Sequence, residues 1–410
     1  MIASANLVAT VLGIVGSLVQ ARYISPDDLG FVRKYSVISG YAIFLTLGLF
    51  TILQREYPVL IGRGEPDKAR RVAAIGHSWS LLTSTMVCGG LLIVCIVQLL
   101  SGNWRESAAW FIQVVSVWTI LYGGYLACTF RSGHEFEKLA KSGYLASIVG
   151  VLVLPLFAVW PFATLILRSV AGSLVSSVYQ HVVRPVKVGW CLPWDEFFQL
   201  VKRGGRLFAG TYIRYQFWLT VEILLLVRYA GDVGVGLFTF SSMIAMSVGQ
   251  VATAVNQIYT PRLAQHFGQT GSLASCMKMA IKPTLVNVLA AAVFSCAAWL
   301  TLPPLLAFAF PKYAAAIPMI KVLLAETLVV GLSLPLYMVA VLEDYRTQIA
   351  AAVAGLAVFV VVAYLLHGIG LREMSVVWGT IAGKLTFVAV SIASLVLRMK
   401  RPGAVATLAA

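Results

Sequence analysis

The sequence predicts an all-α polytopic membrane protein, with about twelve transmembrane helices in two six-helix lobes related by a parallel internal repeat. Three observations carry that prediction. The 410 residues are 60% hydrophobic and only 11% charged, with a mean hydropathy of +0.87. Soluble domains carry about 25% charged residues, so a water-soluble globule is excluded. Apolar stretches long enough to cross a bilayer, which takes about 20 residues, recur along the whole chain. A short motif near the start also returns close to the midpoint.

In chain order the apolar stretches are roughly 2–21, 35–54, 73–100, 108–130, 143–160, 162–182, 207–228, 236–258, 284–306, 317–341, 348–367 and 375–397. Little sequence is left for connections, so no soluble domain fits between them. The pair 143–160 and 162–182 meets at Trp160-Pro161 almost without a loop, and the count of twelve depends most on that joint. The first stretch has no basic segment before it and continues to helix length, so it reads as a span and not as a cleavable signal. Six cysteines lack CxxC or Cys/His spacing and read as small packing residues. Neither a metal, a cofactor nor a catalytic group is expected.

The formal net charge of +15 must be sorted by position. Of the 31 Lys and Arg residues, 20 fall on one set of alternate connections and 7 on the other. Four lie within spans: Arg168, Arg214, Lys321 and Lys384. The positive-inside rule then places both termini of this multi-pass protein in the cytoplasm. The 16 acids divide similarly, with Glu222 and Glu326 inside spans. The net charge becomes +11 inside, +2 outside and +2 within the membrane. Most of the basicity therefore serves orientation and contact with anionic membrane lipid, not nucleic acid.

The repeat is short but regular. Arg22-Tyr23 is followed by Gly30-Phe31, with Asp27 and Asp28 between; Arg228-Tyr229 is followed by Gly236-Leu237-Phe238, with Asp232 between. The offset of 206 residues is close to half the chain. Tyr57-Pro58-Val59-Leu60 is echoed by Tyr259-Thr260-Pro261-Arg262-Leu263. Six spans per half is an even number, so both halves share one orientation and an axis along the membrane normal relates them. The expected organisation is an N-terminal lobe over 1–190, a cytoplasmic linker over 191–206 and a C-terminal lobe over 207–410.

The same residues carry a family resemblance. The run Ala21 through Phe31 resembles the Ala-Arg-x-Leu-Gly-Pro-x-Asp-x-Gly element of the polysaccharide (lipid-linked oligosaccharide) flippase family, within the multidrug/oligosaccharidyl-lipid/polysaccharide exporter superfamily. Leu47-Gly48-Leu49, Gln54 through Pro58, Gly62-Arg63-Gly64 and Lys68-Ala69 resemble its second-helix element, and Gly231 through Phe238 with Pro261-Arg262-Leu263 resemble the second copy. The resemblance implies two lobes around a central cavity that opens alternately to either side. It implies a polyprenyl-pyrophosphate-linked oligosaccharide as cargo for polysaccharide biosynthesis, with glycan-assembly enzymes as candidate partners.

Polar stripes point to a cavity without help from the family. In the first span Asn6, Thr10, Gly13, Ser17 and Gln20 share one helical face; in the seventh, Thr211, Tyr215, Trp218 and Glu222 do the same. In the eighth, Thr239, Ser242, Met246, Gln250, Thr253 and Gln257 follow the rule. Such faces meet either other helices or water, because lipid cannot satisfy them. The first and seventh spans are equivalent by the repeat, which favours a shared polar cavity.

Ionisable residues within spans come next, since each costs about 2.5–3.5 kcal/mol to insert. Arg214 lies in the striped seventh span, while Arg22 and Arg228 occupy equivalent outer ends of the first and seventh. Guanidinium groups suit a pyrophosphate, and Lys321 and Lys384 add candidate point charges. Arg168 and Lys384 equally fit snorkelling or packing ion pairs. Glu222 fits either a proton or sodium carrier or the partner of Arg214. Glu326 lies about 140° around the helix from Lys321, so its partner must come from another segment or from water. Asp27 and Asp28 follow Ser25-Pro26, the pattern of a capped helix start. The five histidines are assigned no role.

Two other classes compete with a flippase. A membrane polysaccharide polymerase or glycosyltransferase would carry catalytic residues in a large extracytoplasmic loop. Here the longest connections, 55–71, 183–206 and 259–283, lie on the basic side. A multidrug/cation antiporter of the same superfamily would favour acids in its spans, whereas these hold four cations against two acids.

Overall fold

The computed structural model describes residues 2–133, 135–270, 272–342 and 345–399, with side chains described outside 2–11, 14, 55, 206–207, 209–215, 250–255, 257–258, 260–261, 264–265, 268, 340–341 and 345. Regular structure among the described residues is helical throughout. The chain divides into two compact units, Met1–Gln216 and Phe217–Ala410. The division falls within a helix and not in the 191–206 segment expected as a linker, which is itself helical from Trp194.

The first unit opens with α1 (Ile2–Tyr23) and α2 (Pro26–Tyr41). Between them Ser25 is extended, at φ −77° and ψ 154°, and its Oγ accepts from the Asp28 amide at 3.1 Å. Pro26 at the first helical position and two acids in the first turn complete the start. Arg105 pairs with Asp28, so these acids serve capping and packing. The helices α3 (Leu49–Gly62) and α4 (Pro66–Leu100) follow a sharp break at Leu47-Gly48, both left-handed. Gly48 is required there, because a Cβ would sit 2.5 Å from the backbone carbonyl carbon of Gly204. Next come α5 (Trp104–Trp118), a π-helical turn Thr119–Gly123, α6 (Gly124–Ser132), α7 (Phe136–Leu152) and α8 (Pro161–Val182). The joint at Trp160-Pro161 separates two helices, since Pro161 starts α8 while Trp160 leaves the helical region.

A continuous helical run, α9 (Trp194–Thr270), crosses the unit boundary and is two helices joined at Gly231, where φ is 62° and ψ −164°. Ser25 and Gly231 are 206 residues apart, so the sequence repeat is also a repeat of helix breaks. The second unit continues with α10 (Leu273–Ala309), α11 (Ile317–Gly331), α12 (Tyr337–Val341), α13 (Tyr345–Gly368) and α14 (Arg372–Met399). The last two cross at glycines: a Cβ on Gly383 would lie 2.6 Å from the Gly355 carbonyl oxygen. Small residues let membrane helices approach this closely.

Nine helices among the described residues are long and apolar enough to cross a membrane, or up to ten with the bent pair Pro26–Thr46 and Leu49–Gly62 as one span. Twelve spans were expected. The difference lies in two places. The expected first span falls largely on residues outside the described side chains, and the expected 207–228 and 236–258 run together as Gln216–Gly249 across the Gly231 break. Large apolar side chains face outward on these helices, with Leu100 82% and Phe308 88% exposed. Such a surface belongs in lipid.

Candidate functional site

In the first unit a cavity of about 310 Å³ opens between α1, α7 and α8. Its walls are made by absent side chains: Gly13 on α1, Gly150 on α7 and Gly172 on α8, with hydroxyls from Ser147, Ser169 and Ser173. Among the lining residues Arg168 carries the charge. Its Nη1 donates to Oε1 of Gln20, which is 6% exposed. Its guanidinium lies flat against α1, where a Cβ on Gly16 would approach Nη2 to 2.5 Å. Gln20 thus aims the arginine while leaving guanidinium donors available. Ser17, on the same stripe, donates back to the Gly13 carbonyl at 2.8 Å and is satisfied within its own helix.

In the second unit the two intramembrane acids converge on α14. Thr380 Oγ1 donates to Glu222 Oε1 at 2.8 Å, and one turn later Lys384 Nζ contacts Glu326 Oε1 at 2.5 Å. Glu222 is 8% exposed, so its carboxyl is held away from bulk solvent. Lys321 does not join this group. Its ammonium sits 4.3 Å from the ring centroid of Trp299, a cation–π contact. Trp218 packs within the second unit: its ring stacks on Phe359 at 5.5 Å and closes over Gly355 and Gly383.

The structure therefore sorts the sequence candidates. Gln20 reaches the cavity of the first unit through Arg168, while Glu222, Glu326 and Lys384 gather on one face of α14. Arg22 and Arg228 are exposed at helix breaks that correspond by the repeat. The side chains of Asn6, Thr10, Arg214, Tyr215, Gln250 and Gln257 lie outside the described residues. Two features were missed. The sequence leaves Arg168 equally fit for snorkelling or a packing ion pair, because its small neighbours Ser169, Gly172 and Ser173 do not by themselves show that the facing helices leave space beside it. The buried chain from Asn287 to Asn256 (3.1 Å) to Ser333 (3.0 Å) joins α10, α9 and the end of α11. No group of three or more His, Cys, Asp or Glu residues among the described residues could hold a metal.

The model of the polysaccharide biosynthesis protein family matches residues 19–302, well over half the chain. No curated protein sequence matches it. Among solved structures, an inward-facing multidrug resistance MATE family transporter of the MOP superfamily superposes with a TM-score of 0.72 at 14% identity, covering 98% of this chain and 96% of its own. The lipid II flippase MurJ, in an inward closed conformation, gives 0.70 at 11% identity over 96% and 87%. A MOP superfamily transporter from Pyrococcus furiosus, described as having a binding pocket of reverse polarity, gives 0.67 at 14% over 97% and 94%. At such identities the likeness shows the fold. The chain belongs to the polysaccharide biosynthesis protein family, and it is a multi-pass membrane protein with the fold of the MOP superfamily.

Proposed function

We propose that this protein is a flippase that moves a polyprenyl-pyrophosphate-linked oligosaccharide from the cytoplasmic to the outer leaflet by alternating access. The observation that carries the reading is the guanidinium of Arg168, the one charged group among the residues that line the cavity, set among Leu12 and small and hydroxyl side chains. A pyrophosphate offers acceptors on every face, and a planar fork of donors binds it in preference to an organic cation. A cavity of about 310 Å³ suits a charged head group, leaving the glycan and the lipid tail outside it. The family match supports the glycan, and the fold shared with a named lipid II flippase supports a lipid-linked cargo. A multidrug/cation antiporter would need an acid where Arg168 stands.

In this reading the protein sits in a bacterial inner membrane with both termini in the cytoplasm. Arg22 and Arg228, exposed at helix breaks that correspond by the repeat, are each a further candidate anion contact in their own unit. Glu222, buried beside Thr380, is the site at which a proton or sodium ion couples to transport. The test is glycan export in cells carrying Arg168→Gln or Arg168→Lys, with protein level measured alongside. Export should fall at least tenfold in Arg168→Gln at normal protein level, a loss of one charge-assisted contact. Unchanged export in that variant sinks the reading.

A further inference from the structure

A second polar cluster in the first unit lies apart from the Arg168 cavity and is built by four segments that are distant in sequence. The π-helical turn Thr119–Gly123 presents Tyr122, whose hydroxyl lies 2.7 Å from Nδ1 of His181 at the end of α8. Arg184, just past that end, places one guanidinium nitrogen 3.0 and 3.1 Å from the two ring nitrogens of His181 and also reaches the Tyr122 hydroxyl. His77 of α4 packs edge-on against Tyr122 and Tyr125, at 6.0 and 5.5 Å between ring centroids.

The chemistry of this group is one-sided. It holds a guanidinium, two imidazoles and hydroxyls, and no carboxylate pairs with Arg184 among the described residues. Three of its buried polar atoms have no protein partner: the Tyr125 hydroxyl, Nδ1 of His77 and Oγ of Ser177, one turn before His181. Tyr125 is fully buried, so its hydroxyl has no access to bulk water. Each such group is costly to bury with its hydrogen bond unmade. Unmet hydroxyls beside a cation that no carboxylate pairs among the described residues are matched by one species, an oxyanion. π-Helical turns are rare and recur at functional sites, which fits a turn that aims Tyr122 into the cluster.

We propose that the Tyr122–Tyr125–His181–Arg184 cluster is an oxyanion site of phosphate type, separate from the Arg168 cavity. A lipid phosphate head group and a free phosphate or pyrophosphate present the same chemistry to it. The site stands independently of the transport reading, since its test measures binding and not export.

The test uses the full chain in nanodiscs of zwitterionic lipid, with its thermal unfolding midpoint followed against inorganic pyrophosphate at constant ionic strength. A parallel arm replaces a third of the lipid with phosphatidylglycerol. The wild type should be stabilised by pyrophosphate, by the anionic lipid, or by both, and the arm that responds names the source. In an Arg168→Gln background, which removes the pyrophosphate contact proposed for the cavity, a response should persist, and Arg184→Gln and Tyr125→Phe should each weaken it about tenfold or more. Tyr125→Phe removes one oxygen and keeps the ring, so it remains informative if Arg184→Gln fails to fold. No response in either arm overturns the proposal. So does an equal response with and without Tyr125→Phe in that background, or a response that Arg168→Gln alone abolishes.

Discussion

At the scale of single residues, the membrane-embedded charges are held by different kinds of partner. Arg168 is aimed by a neutral amide, Lys384 is neutralised by Glu326, and Lys321 rests on an indole ring. Only the first keeps an uncompensated charge next to open space. Removing Glu326 should therefore harm the protein more than removing both partners of its pair, because it strands a half-buried ammonium. Glu326→Gln should lower the thermal unfolding midpoint, and Glu326→Gln with Lys384→Met should recover most of the loss. Glu222 makes a different prediction. If it carries the coupling ion, Glu222→Gln should remove the dependence of export on a proton or sodium gradient while the Thr380 hydrogen bond survives. An unchanged gradient dependence, measured in inverted vesicles, leaves Glu222 a structural role alone. None of the long-range pairings was legible in the sequence. Glu326 and Lys384 are 58 residues apart, and helical spacing could say only that Lys321 was the wrong partner. The Arg168 cavity was hidden for another reason. It consists of volume missing from three helices, and a glycine in a sequence does not announce what its neighbours leave empty.

At the scale of elements, the sequence was far more informative, because helix starts and breaks are local. Ser25-Pro26-Asp27-Asp28 reads as a capped start and is one. The motif offset of 206 pointed to equivalent junctions, and Gly231 supplies by backbone freedom the break that Ser25 supplies by capping. The two junctions should therefore respond to different chemistry. Ser25→Ala should cost about 1 kcal/mol through the lost cap, whereas Ser25→Gly should cost only a few tenths. At Gly231 any side chain is strained, and Gly231→Ala should destabilise by about 1–3 kcal/mol. Thermal unfolding in detergent checks both, and a tolerated Gly231→Ala would show that the break is not needed. The α13–α14 crossing was less legible. Gly355, Gly379 and Gly383 are ordinary among 34 glycines, and their role appears only when Phe359 and Trp218 are seen to fill the space against them.

At the scale of the whole molecule, charge decides orientation, and the helices give that argument physical ends. The first turns of α4 carry Lys68, Arg70 and Arg71, all exposed, and its far end finishes on Leu99 and Leu100 before the short turn to α5. A helix of 35 residues is about 52 Å long, well beyond a hydrocarbon core of about 30 Å, so its basic end must emerge into water. Arg71 meets Glu196 at 2.6 Å and Arg203 meets Glu56 at 2.6 Å, which ties the start of α9 to the same basic face. On the proposed topology, which follows the positive-inside rule, that face is cytoplasmic and the turn at Asn103 lies on the opposite side. Gly62 and Lys202 are exposed positions that report on the basic face. In a background with Cys191→Ser and Cys296→Ser, cysteines at Gly62 and Lys202 should resist an impermeant thiol reagent added to intact cells and react once the membrane is opened. Asn103→Cys should react without opening. The reverse pattern would invert the whole assignment, moving Arg22 and Arg228 to the cytoplasmic side of the membrane, where each would meet an anionic cargo on entry and not on release.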